Sequence, residues 1–216
     1  MPFGNIRESR ALLWNAEQRL VAYLVPKVPK MFNGINLTLA TILWCGLVIL
    51  AYKLATTNIH WLWLASAAVV AQYVTDLLDG AVGRFRNSGL IRWGYYMDHL
   101  LDFIFLTSVS LGVAALAPTR GGLIMAVGCM LVLIAFMMHA FLLARASDTF
   151  RISESIFGPT ELRIFILLLN IAIIYFGRWI INWWAPIFFT ITALVFVTYV
   201  IRAHRELLAK DRRPTE

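Results

Sequence analysis

The stretch from Leu123 to Ala146 reads LIMAVGCMLVLIAFMMHAFLLARA, with Arg145 as its one charged residue. A hydrocarbon core of roughly 30 Å takes about 20 largely apolar residues in a helix that rises ~1.5 Å per residue. This stretch has the length and the composition to cross it. Working outward, comparable blocks run over Leu37–Ala55, Trp61–Arg84, Gly94–Ala117, Thr160–Ile181 and Ala185–Ala203. The breaks fall at Thr56-Thr57-Asn58, at Pro118 through Gly122, at Gly158-Pro159 and at Asn182 through Pro186, where turn-forming residues gather. Trp61, Trp63, Trp93, Trp179, Trp183 and Trp184 stand near span ends, as interface anchoring requires. The chain is 60% hydrophobic and 14% charged, where a soluble domain is nearer half and a quarter. The expected fold is an all-α membrane protein with six transmembrane helices.

Residues 5–25 form a further helix that does not span. Ile6, Leu13, Leu20 and Leu24 share a stripe, while Arg7, Glu8, Arg10, Asn15 and Arg19 fall mostly elsewhere. That pattern describes an amphipathic helix lying in the interface, ended by Pro26 and Pro29. The first thirty residues lack the short apolar core and small-residue cleavage site of a signal peptide. No repeat or low-complexity segment divides the chain. We expect one domain over 1–216: an interfacial helix within 1–30, a six-helix bundle over 37–203 and a basic tail over 204–216. Cys45 and Cys129 both fall inside apolar spans and read as buried small hydrophobes.

The net charge of +7 raises nucleic acid as a partner, but its distribution excludes that class. Basic residues sit in short loops and at helix ends, with no solvated basic domain to grip a phosphate backbone. With six spans both termini share a side, and of the nineteen Lys and Arg only Lys53, Arg120 and Arg178 lie opposite. The rich side is cytoplasmic by the positive-inside rule, so the chain is expected in the cell (inner) membrane as a multi-pass protein.

Four of the twelve acids, Asp76, Asp79, Asp98 and Asp102, lie within apolar helices at the cytoplasmic end of the second span and the start of the third. An acid in a span costs a few kcal/mol or more and faces a partner or a wet cavity. Four close together repel, so a cation must satisfy them. At 100° per residue Asp76, Asp79, Gly80 and Gly83 share one face, and Gly94, Asp98 and Asp102 share another. A short loop joins the two helices, which makes them expected antiparallel neighbours with these faces meeting. Oxygen-only ligands favour Mg²⁺ or Mn²⁺, and four carboxylates suit two ions that clamp a pyrophosphate. Glycines beside them let a bulky ligand approach.

The run Asp76-Leu-Leu-Asp79-Gly80-Ala-Val-Gly83-Arg84, nine further residues, then Gly94-Tyr-Tyr-Met-Asp98-His-Leu-Leu-Asp102 resembles the signature of the CDP-alcohol phosphotransferase family, also called CDP-alcohol phosphatidyltransferases. That pattern is D-x-x-D-G-x-x-A-R, eight or nine residues, then G-x-x-x-D-x-x-x-D. The match departs only at Gly83, where the family usually has Ala. The resemblance implies transfer of a substituted phosphate from a CDP-linked donor to an alcohol, with release of CMP. It implies metal at Asp76, Asp79, Asp98 and Asp102, with Asp102 also the general base. It further implies a nucleotide pocket of Asp76, Asp79, Gly80, Gly83 and Arg84, and a homodimer as the common assembly. Family members often carry Pro-Asn-x-Leu-Thr before the first span. Here Gly34-Ile35-Asn36-Leu37-Thr38 keeps only Leu and Thr, so no nucleotide role is carried over to Thr38.

The acceptor is less legible. His99 follows the third aspartate, as in choline and ethanolamine phosphotransferases, or else packs between helices and orients Asp98. In the loop Arg145–Arg163, the residues Arg145, Arg151 and Arg163 either mark the membrane boundary or bind an anionic acceptor or lipid phosphate. Two substrate pairs stay open, CDP-diacylglycerol with a polar alcohol or a CDP-amino-alcohol with diacylglycerol; in each, at least one partner is a lipid. The alternative from another class is an ion or proton transporter, since intramembrane carboxylates also line transport pathways. That reading asks for acids near the midplane and inverted repeats.

Overall fold

The computed structural model describes residues 14–147 and 159–212. Residues 1–13, with the first part of the expected amphipathic stripe, lie outside the described residues, as does Arg151 of the loop expected to be cytoplasmic. The described residues are helical and contain no strand. They form α1 (Trp14–Leu24), α2 (Gly34–Ala55), α3 (Leu62–Phe85), α4 (Ile91–Leu116), α5 (Arg120–Ser147), α6 (Pro159–Phe176) and α7 (Ile180–Asp211), with short 3₁₀ turns at Val25–Lys27 and Ile59–Trp61.

Among the described residues, five helical stretches are long and apolar enough to cross a membrane: Gly34–Ala55, Ile59–Phe85, Ile91–Leu116, Arg120–Ala146 and Ile180–Asp211. The block expected over Thr160–Ile181 is shorter than anticipated. At 18 residues α6 rises only ~27 Å. Gly177 is the reason, because its φ of +81° breaks the helix and its N–H caps the carbonyl of Ile173 at 2.9 Å. The break expected at Asn182–Pro186 is therefore displaced. Pro186 lies inside α7, which continues past Ala203 to Asp211 and takes much of the presumed tail with it.

Local signals explain the other ends. Asn33 caps α2, its Oδ1 accepting the Asn36 N–H at 2.8 Å. The α3–α4 turn uses the positive φ of Asn87 (50°) and Gly89 (70°). Arg86, just past α3, donates from Nη1 to the Phe32 carbonyl and from Nη2 to the Val28 carbonyl, each at 2.7 Å. It thereby ties the segment before α2 to the end of α3.

The acidic faces of α3 and α4 meet as expected through the side chains of Gln72, Asp76, Asp98 and Asp102, while the closest backbone packing of each is elsewhere. Both pack mainly on α2 instead of on each other, α6 packs on α3, and α5 packs on α4 and α7. The main core gathers Val48, Tyr52, Leu62, Val69, Leu116, Ile173 and Ile181. Within it the Tyr52 hydroxyl donates to Asn170 Oδ1 (2.8 Å), and Asn170 Nδ2 donates to Ser66 Oγ (3.1 Å). Helices α2, α6 and α3 are thus joined by polar groups that lipid cannot satisfy. Gly112 lets α4 approach α2, since a side chain there would strike the Tyr52 ring. A second cluster of Val25, Leu37, Leu78 and Val82, with Val21 and Leu24 against it, docks the end of α1 at the acidic end of the bundle. Outward-facing Ile42, Leu43, Leu131, Leu142, Ile187 and Leu194 are exposed. Such a surface suits a bilayer, not water.

Candidate functional site

Asp76 and Asp79 lie in the last three or so turns of α3, and Asp98 and Asp102 in the first three or so of α4. All four therefore sit at one end of the bundle. Carboxylate oxygens of Asp76, Asp98 and Asp102 come within 4.8 Å of one another. Three hard oxygen donors at that spacing fit a hard divalent cation such as Mg²⁺ or Mn²⁺.

Asp79 shares the α3 face of Asp76 but is held separately. Its Oδ2 accepts from Thr38 Oγ1 at 2.6 Å, and its Oδ1 accepts the N–H of Gly80. The single four-carboxylate cluster expected from helix geometry resolves into three converging groups and one tethered to α2. Thr38, to which no role had been given, is the tether; its hydroxyl also lies 2.9 Å from the Gly34 carbonyl. Gly34 makes the contact feasible. A Cβ there would come within 3.2 Å of the Asp79 carbonyl oxygen, so any other residue would need α2 and α3 to give by a few tenths of an ångström.

Arg163 is the largest departure from expectation. It was placed in a cytoplasmic loop as a candidate acceptor ligand, yet it is buried in α6, only 9% exposed. Its Nη2 donates to Asp76 Oδ2 at 2.8 Å and to Asp102 Oδ1 at 3.3 Å, and its Nε donates to Gln72 Oε1 at 2.9 Å. Gln72 in turn donates from Nε2 to Asp102 Oδ1 at 3.3 Å. Gln72 lies one turn before Asp76, and a lone amide in the apolar run AAVVAQYV was the signal that could have found it. Glu17 of α1 joins the same edge, its Oε1 accepting from Tyr73 Oη (3.0 Å) and Thr160 Oγ1 (2.5 Å). An open groove of about 300 Å³, lined by Val69, Val70, Tyr73, Thr160, Arg163, Ile164 and Leu167, runs between α3 and α6.

The other expected residues fall as follows. Gly80 and Arg84 are neighbours on α3, with the Arg84 guanidinium folded back so that a Cβ on Gly80 would meet Nη1 at 3.3 Å. An alanine at Gly83 would meet Ser88 Oγ at 3.3 Å, so the family's usual residue fits only with a shift of a few tenths of an ångström. His99 lies against Tyr95 and Phe141, ring centroids 4.4 and 5.3 Å away, with Nδ1 3.2 Å from Asp98 Oδ2. Arg145 is exposed near the end of α5, away from the aspartates in sequence and on another helix. Arg151 is outside the described residues.

A family model described as CDP-alcohol phosphatidyltransferase matches residues 28–204, from the segment before α2 to within α7. The chain belongs to the CDP-alcohol phosphatidyltransferase family. No curated protein and no solved structure matches it. The CDP-alcohol phosphatidyltransferases are transferases that act at membranes on a CDP-alcohol and an alcohol, and the several apolar helices agree with a multi-pass member. All four aspartates, Gln72 and Arg163 lie inside the matched region.

Proposed function

We propose that this protein is a metal-dependent transferase of polar-lipid or phospholipid synthesis that moves a substituted phosphate from a CDP-linked donor to an alcohol. The convergence of Asp76, Asp98 and Asp102 within 4.8 Å, inside the family-matched region, carries the reading. In it, Asp76, Asp79 and Asp98 would hold two Mg²⁺ or Mn²⁺ ions, with Asp102 at the second. Bound divalent metal neutralises phosphoryl charge and lowers the pKa of an alcohol beside it.

Asp102 acts as general base. It takes the proton of the acceptor hydroxyl, whose oxygen bonds to the donor phosphorus as the bond from that phosphorus to the CMP oxygen breaks. Gly80, Gly83 and Arg84, beside Asp76 and Asp79, line the cytidine diphosphate pocket, with Arg84 as its exposed cation. His99, packed between Tyr95 and Phe141, orients Asp98. Arg145 and Arg151 meet an anionic acceptor or lipid phosphate from the loop side. The whole chain forms one domain of six spans, counting α6, with α1 as the described part of an amphipathic interfacial helix. It sits in the cell (inner) membrane with the aspartates facing the cytoplasm, and assembles as a homodimer.

The test is a donor–acceptor matrix. Protein in lipid nanodiscs with Mg²⁺ receives radiolabelled CDP-diacylglycerol, CDP-choline or CDP-ethanolamine, each with polar alcohols or diacylglycerol. The reading expects CMP and one labelled lipid product from at least one pair. Silence across the matrix from folded protein with all four aspartates intact sinks it.

A further inference from the structure

The motif aspartates already have a resident cation. Three carboxylates within 4.8 Å of one another, at one end of a bundle of largely apolar helices, repel strongly unless a positive charge stands among them. Arg163 supplies it from α6, at 2.8 Å from Asp76 and 3.3 Å from Asp102. A guanidinium does not lose its proton in proteins, so this charge is permanent. Its placement does not depend on the carboxylates alone. Gln72 is fully buried, with its oxygen on Arg163 Nε and its nitrogen on Asp102 Oδ1. The Tyr73 ring lies 5.6 Å from the guanidinium carbon. Arg163, Gln72 and Asp102 thus form a closed ring of hydrogen bonds across α6, α3 and α4.

We propose that Arg163 is a positioning residue and built-in counter-cation, which weakens divalent-metal binding at Asp76 and Asp102 and, with Gln72, sets the orientation of Asp102. This rests on the catalytic reading for its kinetic arm only. It differs from the acceptor-binding role that sequence position indicated for Arg163. An acceptor ligand would have its donors turned toward the substrate, whereas three of the contacts made here go to Asp76, Asp102 and Gln72.

Mn²⁺ titration of substrate-free protein in nanodiscs, read by electron paramagnetic resonance of the free ion, tests the electrostatic half. Arg163→Gln removes a charge a few ångströms from the metal ligands and is expected to tighten Mn²⁺ binding about tenfold or more. Arg163→Lys keeps the charge and is expected to return the affinity to within about threefold of the parent. In the kinetic arm, Arg163→Gln is expected to lower kcat about tenfold or more with acceptor KM unchanged within about threefold, and Arg163→Lys to recover part of the loss. Unchanged or weaker Mn²⁺ binding in folded Arg163→Gln overturns the counter-cation. A rise in acceptor KM at constant kcat overturns the positioning role and favours an acceptor ligand.

Should Arg163→Gln fail to fold, Gln72→Met carries the test, because it leaves every charge in place while removing both amide contacts. It is expected to lower kcat about fivefold or more at unchanged KM, and an unaltered kcat overturns the positioning role. Parent protein that binds Mn²⁺ with Arg163-dependent affinity yet releases no CMP upholds the counter-cation and sinks the transferase reading. The two failures are therefore separable.

Discussion

Replacing Asp102 by asparagine changes one atom and one charge, and the surroundings of Asp102 show why the rest of the site should survive. Oδ1 accepts from Gln72 Nε2 and Arg163 Nη2, both at 3.3 Å, and an asparagine carbonyl can occupy that position and accept both. Arg163 keeps its shorter contact to Asp76 at 2.8 Å, so no buried cation is left alone. The loss of stability is then that of one charged hydrogen bond made neutral, about 1 kcal/mol. The chemical loss is much larger. An amide cannot take the acceptor proton, and removal of a positioned general base costs about 10²–10⁴ in rate, or about 3–5 kcal/mol of activation free energy. The assay is single-turnover CMP release at saturating Mg²⁺, beside equilibrium binding of the CDP donor. Turnover should fall by at least about a hundredfold while donor affinity stays within about threefold. A variant with a rate within about threefold of the parent removes Asp102 as base, and loss of donor binding with the rate would make it chiefly a ligand.

Other outcomes follow from the same geometry. Thr38→Val keeps the shape of a buried side chain but removes the 2.6 Å donor to Asp79, and should cost about 1.5–3 kcal/mol in equilibrium unfolding from mixed micelles. A change below about 0.5 kcal/mol would mean that Asp79 is satisfied by another group. Tyr52→Phe strips the hydroxyl from Asn170 Oδ1 and should cost about 0.6–1.7 kcal/mol, the range for hydrogen bonds between helices in membranes, without altering the rate per folded molecule. A change in turnover larger than the change in folded fraction would tie that network to the site. Chelation by EDTA should abolish CMP release, and Mg²⁺ or Mn²⁺ should restore it; activity that persists in chelator refutes metal at the aspartates.

Much of this protein is legible locally. Hydropathy over twenty-residue windows located the five long apolar helices found among the described residues, because the bilayer demands continuous apolar length whatever the neighbours are. Helical periodicity put Asp98 and Asp102 on one face, and their convergence with Asp76 followed once the α3–α4 turn was recognised. Gly177 and Pro186 show the limit of such reading. Both disrupt helices, but the break falls at Gly177, whose positive φ ends α6, while Pro186 is absorbed inside α7.

What the amino-acid sequence determined by itself is the membrane-helical class and the family's acidic signature, since both rest on residues close together in the chain. Which polar groups complete the site was decided only by the tertiary structure. Thr38 reaches Asp79 because α2 starts against α3, and α3 and α4 stand apart with α2 packed on both. Gln72 and Arg163 meet Asp102 because α6 lies along α3. A buried carboxylate must be satisfied by whatever donor packing brings within about 3 Å, and nothing in the spacing of Asp76, Asp98 and Asp102 names a partner some sixty residues or more further along the chain.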